Sequence, residues 1–315
     1  MAIEITRPGK YSLILSTPVM PAAGTLGFGD DYRALLDYDK LGAMVTNPVT
    51  IDPWRPASGT RIVALDAGVL AHTGLPNPGL AHVISQYRRA WANMPIPVIL
   101  HLVALSVSHI KRALDLIDEV DEIAAVELGL RDDISQPEAV ALVEAASRME
   151  KPLLARLPFY ESSQLALPIA DAGVDALVLT AAPRGTARDN HTGRLVSGRV
   201  YGPLVKPIIL RLVGRLRREI PAEIPVIAAG GIHSPQDARD YIDAGAIAVQ
   251  VDTATWAQPR MLERIARDLG GWIATRQKDA LSDEWNPDMG QTEAIERRPN
   301  PPQGVNPKQA GDGFR

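Results

Sequence analysis

Residues 224–253 read IPVIAAGGIHSPQDARDYIDAGAIAVQVDT, and this pattern decides the architecture. An apolar run, Ile224–Ala229, stops at the pair Gly230–Gly231. Ser234 is placed to cap a helix, Pro235 to occupy its first position and Gly245 to end it. A second apolar run, Ala246–Val251, follows at once. Two apolar strands joined by one short helix make a parallel β-α-β unit. The crossover covers one sheet face and leaves both strands little polar alternation. The loops after two such strands lie side by side and offer backbone N–H groups to an anion. In a closed eightfold barrel the last two of these loops commonly hold a phosphate. The glycines also have a plainer reading, that they simply permit tight strand–helix turns.

Outward from this unit, the same alternation repeats towards the N-terminus. The pattern predicts strands at Thr17–Ala23, Ala43–Thr46, Pro97–Leu102, Ile123–Leu128, Lys151–Leu157 and Ala176–Leu179. Helices are predicted near Asp30–Tyr38, Leu80–Ala92, Val107–Val120, Pro137–Met149, Ser163–Ala172, Pro203–Ile220 and Pro259–Leu269. The fold class is therefore α/β, a TIM (β/α)8 barrel, preceded by a short strand pair turning at Pro8–Gly9. Two long loops, Asn47 to about Pro78 and Thr180–Gly202, interrupt it; loops of that length are usually functional. The barrel is expected to span residues 1–278. From Asp279 onward five prolines and four glycines occur without periodicity. Asn286–Arg315 is expected to be a poorly ordered tail or a surface-hugging extension.

Bulk chemistry narrows the function. The 315 residues exceed the roughly 250 that eight strand–helix units need. A hydrophobic share of 46% supplies ample core, and a formal charge of -4 argues against a nucleic-acid surface. Cysteine is absent, which excludes disulfides, thiolate metal sites and cysteine nucleophiles. No basic-then-apolar leader or run of 18 apolar residues occurs, so a cytoplasmic protein with no membrane role is expected.

Candidate chemistry falls at the C-terminal ends of the strands. Gly24, Asn47, His72, Asn77, His101, Glu127, Asp132, Asp133, Arg156, Thr180, Arg184, Gly230, Gly231, Asp252 and Thr253 are placed there. Arg156 lies inside an apolar strand, where its guanidinium must reach the mouth or meet an anion. It can grip an anionic ligand in a fork, or pair with Glu127 one strand away. His101 can be a base or an ordinary rim histidine. His72 and Asn77 can contact a ligand from the long loop. Asp132 and Asp133 can supply a general base or remain solvated loop charges. The six histidines are scattered and no ligand spacing appears, so no metal site is expected.

Several segments resemble the class 1 dihydroorotate dehydrogenases. They are TPVMPAAGTLGFG (17–29), LGAMVT (41–46), TGLPNPG (73–79), YGPLVKPIILR (201–211), PVIAAGGI (225–232) and AVQVDTA (248–254). The resemblance implies an FMN-containing barrel that oxidises dihydroorotate. In such a protein Ala23 and Gly24 would back the flavin ring, and Gly230, Gly231 and Thr253 would cradle its phosphate. Asn77 would be a substrate-binding asparagine. The chain departs from the family pattern at several of these sites. Asn47 stands where a lysine usually contacts flavin and substrate, and Arg156 replaces the lysine at the flavin pyrimidine edge. Gly129-Leu-Arg-Asp-Asp133 replaces the loop carrying the cysteine base. Ala71 and Thr180-Ala181 replace further asparagines, and Asp252 replaces a glycine beside the phosphate.

These departures predict loss of the groups that grip orotate, each unpaired buried polar atom costing about 1–3 kcal/mol. A flavin oxidoreductase on a different small molecule is expected, with Asp132, Asp133 or His101 as base and Arg156 beside the ring. His72, Asn77, Glu127 and Thr180 would meet the substrate. The alternative is a flavin-free barrel, either a non-redox enzyme or a binding or scaffold subunit of an assembly. It draws on Asp252, whose charge about 5 Å from a phosphate would cost roughly 3 kcal/mol at an effective dielectric near 20. The family likeness also implies a homodimer.

Overall fold

The computed structural model describes residues 2–9 and 11–278. Eight short strands carry the architecture: β1 (Val19–Pro21), β2 (Met44–Val45), β3 (Val98–Val103), β4 (Ile123–Gly129), β5 (Leu153–Arg156), β6 (Ala176–Leu179), β7 (Val226–Ala229) and β8 (Ala248–Val251). Each is parallel to its neighbours in the order β2-β3-β4-β5-β6-β7-β8-β1. The Gly42 N–H, just before β2, donates to the Val19 carbonyl of β1 at 2.9 Å and brings the ends of this path together. The result is the TIM-type barrel that the β-α-β unit of residues 224–253 foreshadows.

Six helices fill the crossovers from β2 to β8: α1 (Leu80–Ala92), α2 (Val107–Ile117), α3 (Gln136–Ala146), α4 (Ser162–Asp171), α5 (Lys206–Glu219) and α6 (Pro235–Asp243). Their starts are written in the sequence. Ser106 accepts from the His109 N–H, Ser135 and Glu138 form a capping box, and Ser234 accepts from the Asp237 N–H with Pro235 behind it. Such caps satisfy amides that the helix itself leaves open. Two further helices, α7 (Ala254–Ala257) and α8 (Met261–Lys278), follow β8. Residues 1–271 form one compact unit, and residues 272–315 are grouped separately. The predicted tail, Asn286–Arg315, lies outside the described residues, as does everything beyond the expected boundary at residue 278.

Two expectations are corrected. The helix predicted over Asp30–Tyr38 is a turn at residues 31–35 followed by a 3-10 turn at Tyr38–Lys40. Asp37 accepts from the Asp39 N–H, and such local side-chain bonds compete with helix propagation in a segment too short to absorb the loss. The two long loops are not irregular throughout. Strands Ile62–Leu65 and Gly68–Ala71 from the first join Arg184–Arg188 and Leu195–Tyr201 from the second in a four-stranded antiparallel sheet.

Apolar side chains fill the barrel from its N-terminal end. Met20, Val45, Ile99, Ala125, Leu154, Ala176, Ile227 and Ala248 share one buried cluster with Ile5, Leu13 and Leu15. The last three belong to the lead-in hairpin, where Ile3–Glu4 pairs with Ile14–Leu15. This hairpin stoppers the end of the barrel away from the strand C-termini. Each leucine, isoleucine, valine or methionine among them, fully buried, contributes roughly 1.5–3 kcal/mol. Arg7 fastens the plug, its N–H bonding the Asp175 carbonyl at 2.8 Å and its guanidinium the Asp175 carboxylate at 3.1 Å.

Candidate functional site

Side chains along a strand alternate sides, so residues two apart share a face. Ile99, Ala125, Leu154 and Ala248 point into the apolar cluster. Two residues further along β3, β4, β5 and β8 stand His101, Glu127, Arg156 and Gln250. The layer above the apolar core is therefore polar and charged. All four residues are buried, Glu127 and Gln250 completely.

They satisfy one another. His101 Nδ1 lies 2.8 Å from Glu127 Oε1. Arg156 Nη1 donates to Gln250 Oε1 at 2.7 Å and approaches Glu127 Oε1 at 3.4 Å, while Nη2 donates to the Thr180 carbonyl at 3.2 Å. Gln250 Nε2 donates to Glu127 Oε2 at 2.5 Å. Burial alone would push the Glu127 carboxyl up. The His101 hydrogen bond, the charges of His101 and Arg156 and the Gln250 bond outweigh that and hold it at about 2. Glu127 is thus an anion at neutral pH, and the internal pairing foreseen for Arg156 and Glu127 is present.

His101 is set in place on three sides. Its backbone N–H bonds Thr46 Oγ1 at 3.0 Å, Glu127 holds Nδ1, and the ring edge lies against Gly129. A Cβ added at Gly129 would stand 2.5 Å from His101 Nε2, so the strand-four glycine leaves room for the imidazole. Nε2 makes no hydrogen bond among the described residues. A carboxylate on one ring nitrogen fixes the tautomer and turns the other into a directed proton acceptor.

In the strand-four loop the two aspartates differ: Asp132 is tied up by arginines, and Asp133 stays a solvated charge. Asp132 accepts from Arg184 Nε at 2.5 Å and from Arg199 Nη2 at 3.1 Å. Arg199 also bonds the Ala182 carbonyl at 2.7 Å. These contacts tie the loop to the four-stranded sheet. Asp133 is exposed and pairs with Arg131 at 3.0 Å.

Other predicted residues are engaged locally. Asn77 Oδ1 accepts from Thr50 N, Thr50 Oγ1 and Gly79 N, and its amide donates to the Leu75 carbonyl. It staples the loop after β2. Asn47 exchanges bonds with Gly27, accepting from its N–H at 3.2 Å and donating to its carbonyl at 2.7 Å. Thr180 is buried, with its hydroxyl on the Ala181 carbonyl. His72 is exposed, its N–H bonded to the Arg61 carbonyl at the edge of the sheet. Ala23 and Gly24 leave an accessible turn at the end of β1, where a Cβ on Gly24 would meet nothing nearer than Pro48 Cδ at 3.8 Å.

At the last two strands, the turns after β7 and β8 are bridged. His233 Nε2 lies 3.1 Å from Thr253 Oγ1. Asp252, 3% exposed, accepts through Oδ1 from Thr253 N–H at 2.5 Å and Thr253 Oγ1 at 3.1 Å. Burial raises its carboxyl, opposed by those bonds and by the charges of His233 and Arg156. The glycines have a packing role: a Cβ on Gly230 would stand 2.4 Å from Ile209 Cδ1, and one on Gly231 2.6 Å from Lys206 N. Both positions carry positive φ, +122° and +68°, where L side chains are strained. Sequence reasoning missed Gln250 and His233. A glutamine in the apolar run AVQV, on the same parity as the core-facing Ala248, was the available signal.

This fold and its mouth define a (β/α)8-barrel protein working at the C-terminal ends of its strands. The profile of the family described as dihydroorotate dehydrogenase matches residues 11–273, and the chain belongs to that family. It is an oxidoreductase family whose members typically carry FMN. One relative, from Pelobacter propionicus, is described as dihydroorotate dehydrogenase B (NAD(+)), catalytic subunit. It is 32% identical over 289 residues, covering 86% of this chain and 94% of the relative. Proteins of the same description from Trichlorobacter lovleyi and Desulforudis audaxviator are each 32% identical, covering 88% and 83% of this chain and 94% and 90% of theirs. Among the described residues no helix is long and apolar enough to cross a membrane, and no group of three or more His, Asp or Glu side chains is placed to hold a metal ion.

Proposed function

We propose that this chain is an oxidoreductase of the dihydroorotate dehydrogenase family whose substrate is a small molecule other than dihydroorotate, with His101 as the proton acceptor. The carrying observation is the buried pair His101–Glu127, at 2.8 Å, with Nε2 left without a bond. Glu127 keeps the imidazole in one orientation and stabilises the imidazolium that forms when Nε2 takes a substrate proton. Asp132 and Asp133 are already engaged by arginines in ion pairs.

The residues fit the ring end of FMN better than its phosphate end. The accessible Ala23–Gly24 turn suits close approach of a flat ring, and Arg156 stands as a cation inside the mouth. A bound flavin would supply the acceptor for a hydride. The phosphate end conflicts with Asp252, whose carboxylate lies on the Thr253 amide.

Dihydroorotate is disfavoured because its carboxylate and amides need partners, and the mouth's polar groups are spent on one another. The Arg156 guanidinium already serves Gln250, Glu127 and Thr180, and Asn77 serves its own loop. A reduced heterocycle of low charge, drawn from cofactor or nucleobase metabolism, suits this mouth better. The relatives are described as catalytic subunits, which supports a working assembly with a second kind of chain in place of, or beside, a homodimer. A cytoplasmic location goes with this reading.

The test is reduction of flavin-loaded protein under anaerobic conditions by dihydroorotate and by a panel of reduced heterocycles. Dihydroorotate should neither bleach the flavin nor yield orotate. A compound that bleaches the wild type should do so about 10²–10⁴-fold more slowly in His101→Asn. Stoichiometric orotate, or a His101→Asn protein as fast as wild type, overturns the reading. A second reading, a flavin-free barrel serving as a non-redox enzyme or a binding subunit, rests on Asp252. It predicts colourless protein that cannot be loaded with a flavin.

A further inference from the structure

We propose that Tyr201 is a specificity-determining residue whose hydroxyl overhangs the mouth and donates a hydrogen bond to a ring carbonyl. This rests on the reading above, that a small neutral ring enters the mouth, and narrows the substrate class to rings that carry a carbonyl. The four-stranded sheet sets the direction of the side chain. Arg184 and Arg199 stand opposite one another in register, and both reach Asp132 of the strand-four loop. Arg199 also reaches the Ala182 carbonyl, just beyond β6. That face of the sheet therefore looks onto the C-terminal ends of the barrel strands. Tyr201, opposite Val69, lies two residues beyond Arg199 and shares its face.

The residue is held on two sides. Its backbone passes so close to Gly68 that a Cβ there would collide with the Tyr201 carbonyl. Its ring leans on Trp256 of α7, with centroids 5.7 Å apart and planes at 57°. The hydroxyl makes no hydrogen bond among the described residues, although protein surrounds it and the residue stays partly accessible. Four charged groups face it: Arg199 from the sheet, Arg156 from β5, Asp252 beyond β8 and Asp132 from the strand-four loop. Burial raises the hydroxyl above the usual phenol range, so at neutral pH it keeps its proton and can donate. The two cations weigh more there than the two carboxylates, which favours a ligand atom of partial negative charge. A carbonyl oxygen meets that field and the open donor at once. The Tyr201 hydroxyl thus joins His101 Nε2 outside the mutual pairing of the polar layer, one as a donor and the other as an acceptor.

Ligand-observed NMR titration of the full chain tests this without turnover, with α-pyridone as a flat neutral ring bearing a carbonyl and benzene as a similar ring without one. Wild type should bind α-pyridone the more tightly. Tyr201→Phe keeps the ring on Trp256 and removes only the hydroxyl. It should weaken α-pyridone binding about threefold to tenfold, the loss of one hydrogen bond, and leave benzene binding within about twofold. Wild type that binds neither probe, or benzene as tightly as α-pyridone, overturns the proposal. So does a Tyr201→Phe protein whose affinity for α-pyridone is unmoved, or falls no more than its affinity for benzene. Because nothing is turned over, such a result removes the role of Tyr201 alone and leaves the His101 reading to stand or fall on its own kinetics.

Discussion

Replacing Glu127 by glutamine keeps the side chain's shape and removes the one charge on which the polar layer turns. The carboxylate is fully buried and serves His101, Arg156 and Gln250. Its carboxyl is held at about 2 against an unperturbed value of 4.5. At 1.36 kcal/mol per unit, the preference of the folded state for the ionised form is roughly 3 kcal/mol. An independent route gives a similar figure, since removing one partner of a buried ion pair costs about 3–5 kcal/mol by stranding the other charge. Here the stranded group is the Arg156 guanidinium, left with Gln250 and the Thr180 carbonyl. Because the folded value is depressed, the stability Glu127 contributes is complete above the unfolded value. It is lost as pH falls from about 4.5 through about 2, where the unfolded chain binds the extra proton. Urea unfolding of wild type and Glu127→Gln should therefore differ by about 3 kcal/mol at pH 7 and converge as pH approaches 2. In a domain of this size that corresponds to a melting shift of roughly 6–12 °C. A difference below about 1 kcal/mol at pH 7, or one that does not shrink with acid, would refute the assignment of Glu127 as the buried hub.

Three further substitutions probe other parts of the site. Gly129→Ala places a methyl where His101 Nε2 and Cε1 now sit, and should cost about 1–3 kcal/mol in urea unfolding while displacing the imidazole, seen as a shifted His101 ring resonance. Asp132→Asn removes the anion shared by Arg184 and Arg199; it should lower global stability by no more than about 1 kcal/mol yet speed amide exchange over residues 184–201. Ser234→Ala deletes the cap of α6 and should cost about 1 kcal/mol in thermal unfolding.

The barrel was legible because its signals are local. Apolar runs such as Ile224–Ala229, the Ser234–Pro235 start and Gly245, with its φ of +99°, each declare themselves within a few residues. The pairing of Arg156 with Glu127 was legible for a related reason, two charges on adjacent apolar strands having few other places to go. What the sequence hid depends on register and on long-range pairing. Gln250 joins the layer only because β8 sets it two residues above Ala248, and its partners Arg156 and Glu127 lie 94 and 123 positions away. The four-stranded sheet is assembled from loops more than a hundred residues apart, and its strand Arg184–Arg188 alternates exposed and half-exposed residues with no apolar face to betray it. Asp132 looked like a free loop carboxylate because its partners, Arg184 and Arg199, are 52 and 67 residues away. The predicted helix at Asp30–Tyr38 failed for a local reason: Asp37 accepts from the Asp39 N–H and opens a 3-10 turn at Tyr38–Lys40.

The charges of the mouth, taken together, limit what can bind there. Arg156 is balanced by Glu127, and Asp133 with Glu138 answers Arg131. Among the described residues of the mouth, the Asp132 cluster, with Arg184 and Arg199, carries an excess positive charge, and it docks the sheet. Asp252, with its carboxyl raised by burial, adds no positive field whichever way it titrates. A substrate carboxylate or phosphate brought into such a site must give up water without gaining an unengaged cation, a penalty of several kcal/mol per ion. A neutral ring loses far less on entry. On the proposed reading, the same mutual satisfaction that stabilises the polar layer disfavours an anionic substrate relative to an uncharged one. Substrate screens should accordingly find the greatest flavin reduction among neutral reduced heterocycles, and adding a carboxylate to an active compound should lower kcat/KM by at least tenfold. An equal or greater kcat/KM for the carboxylated partner would show that an unengaged cation exists in the working site and that this charge argument is wrong.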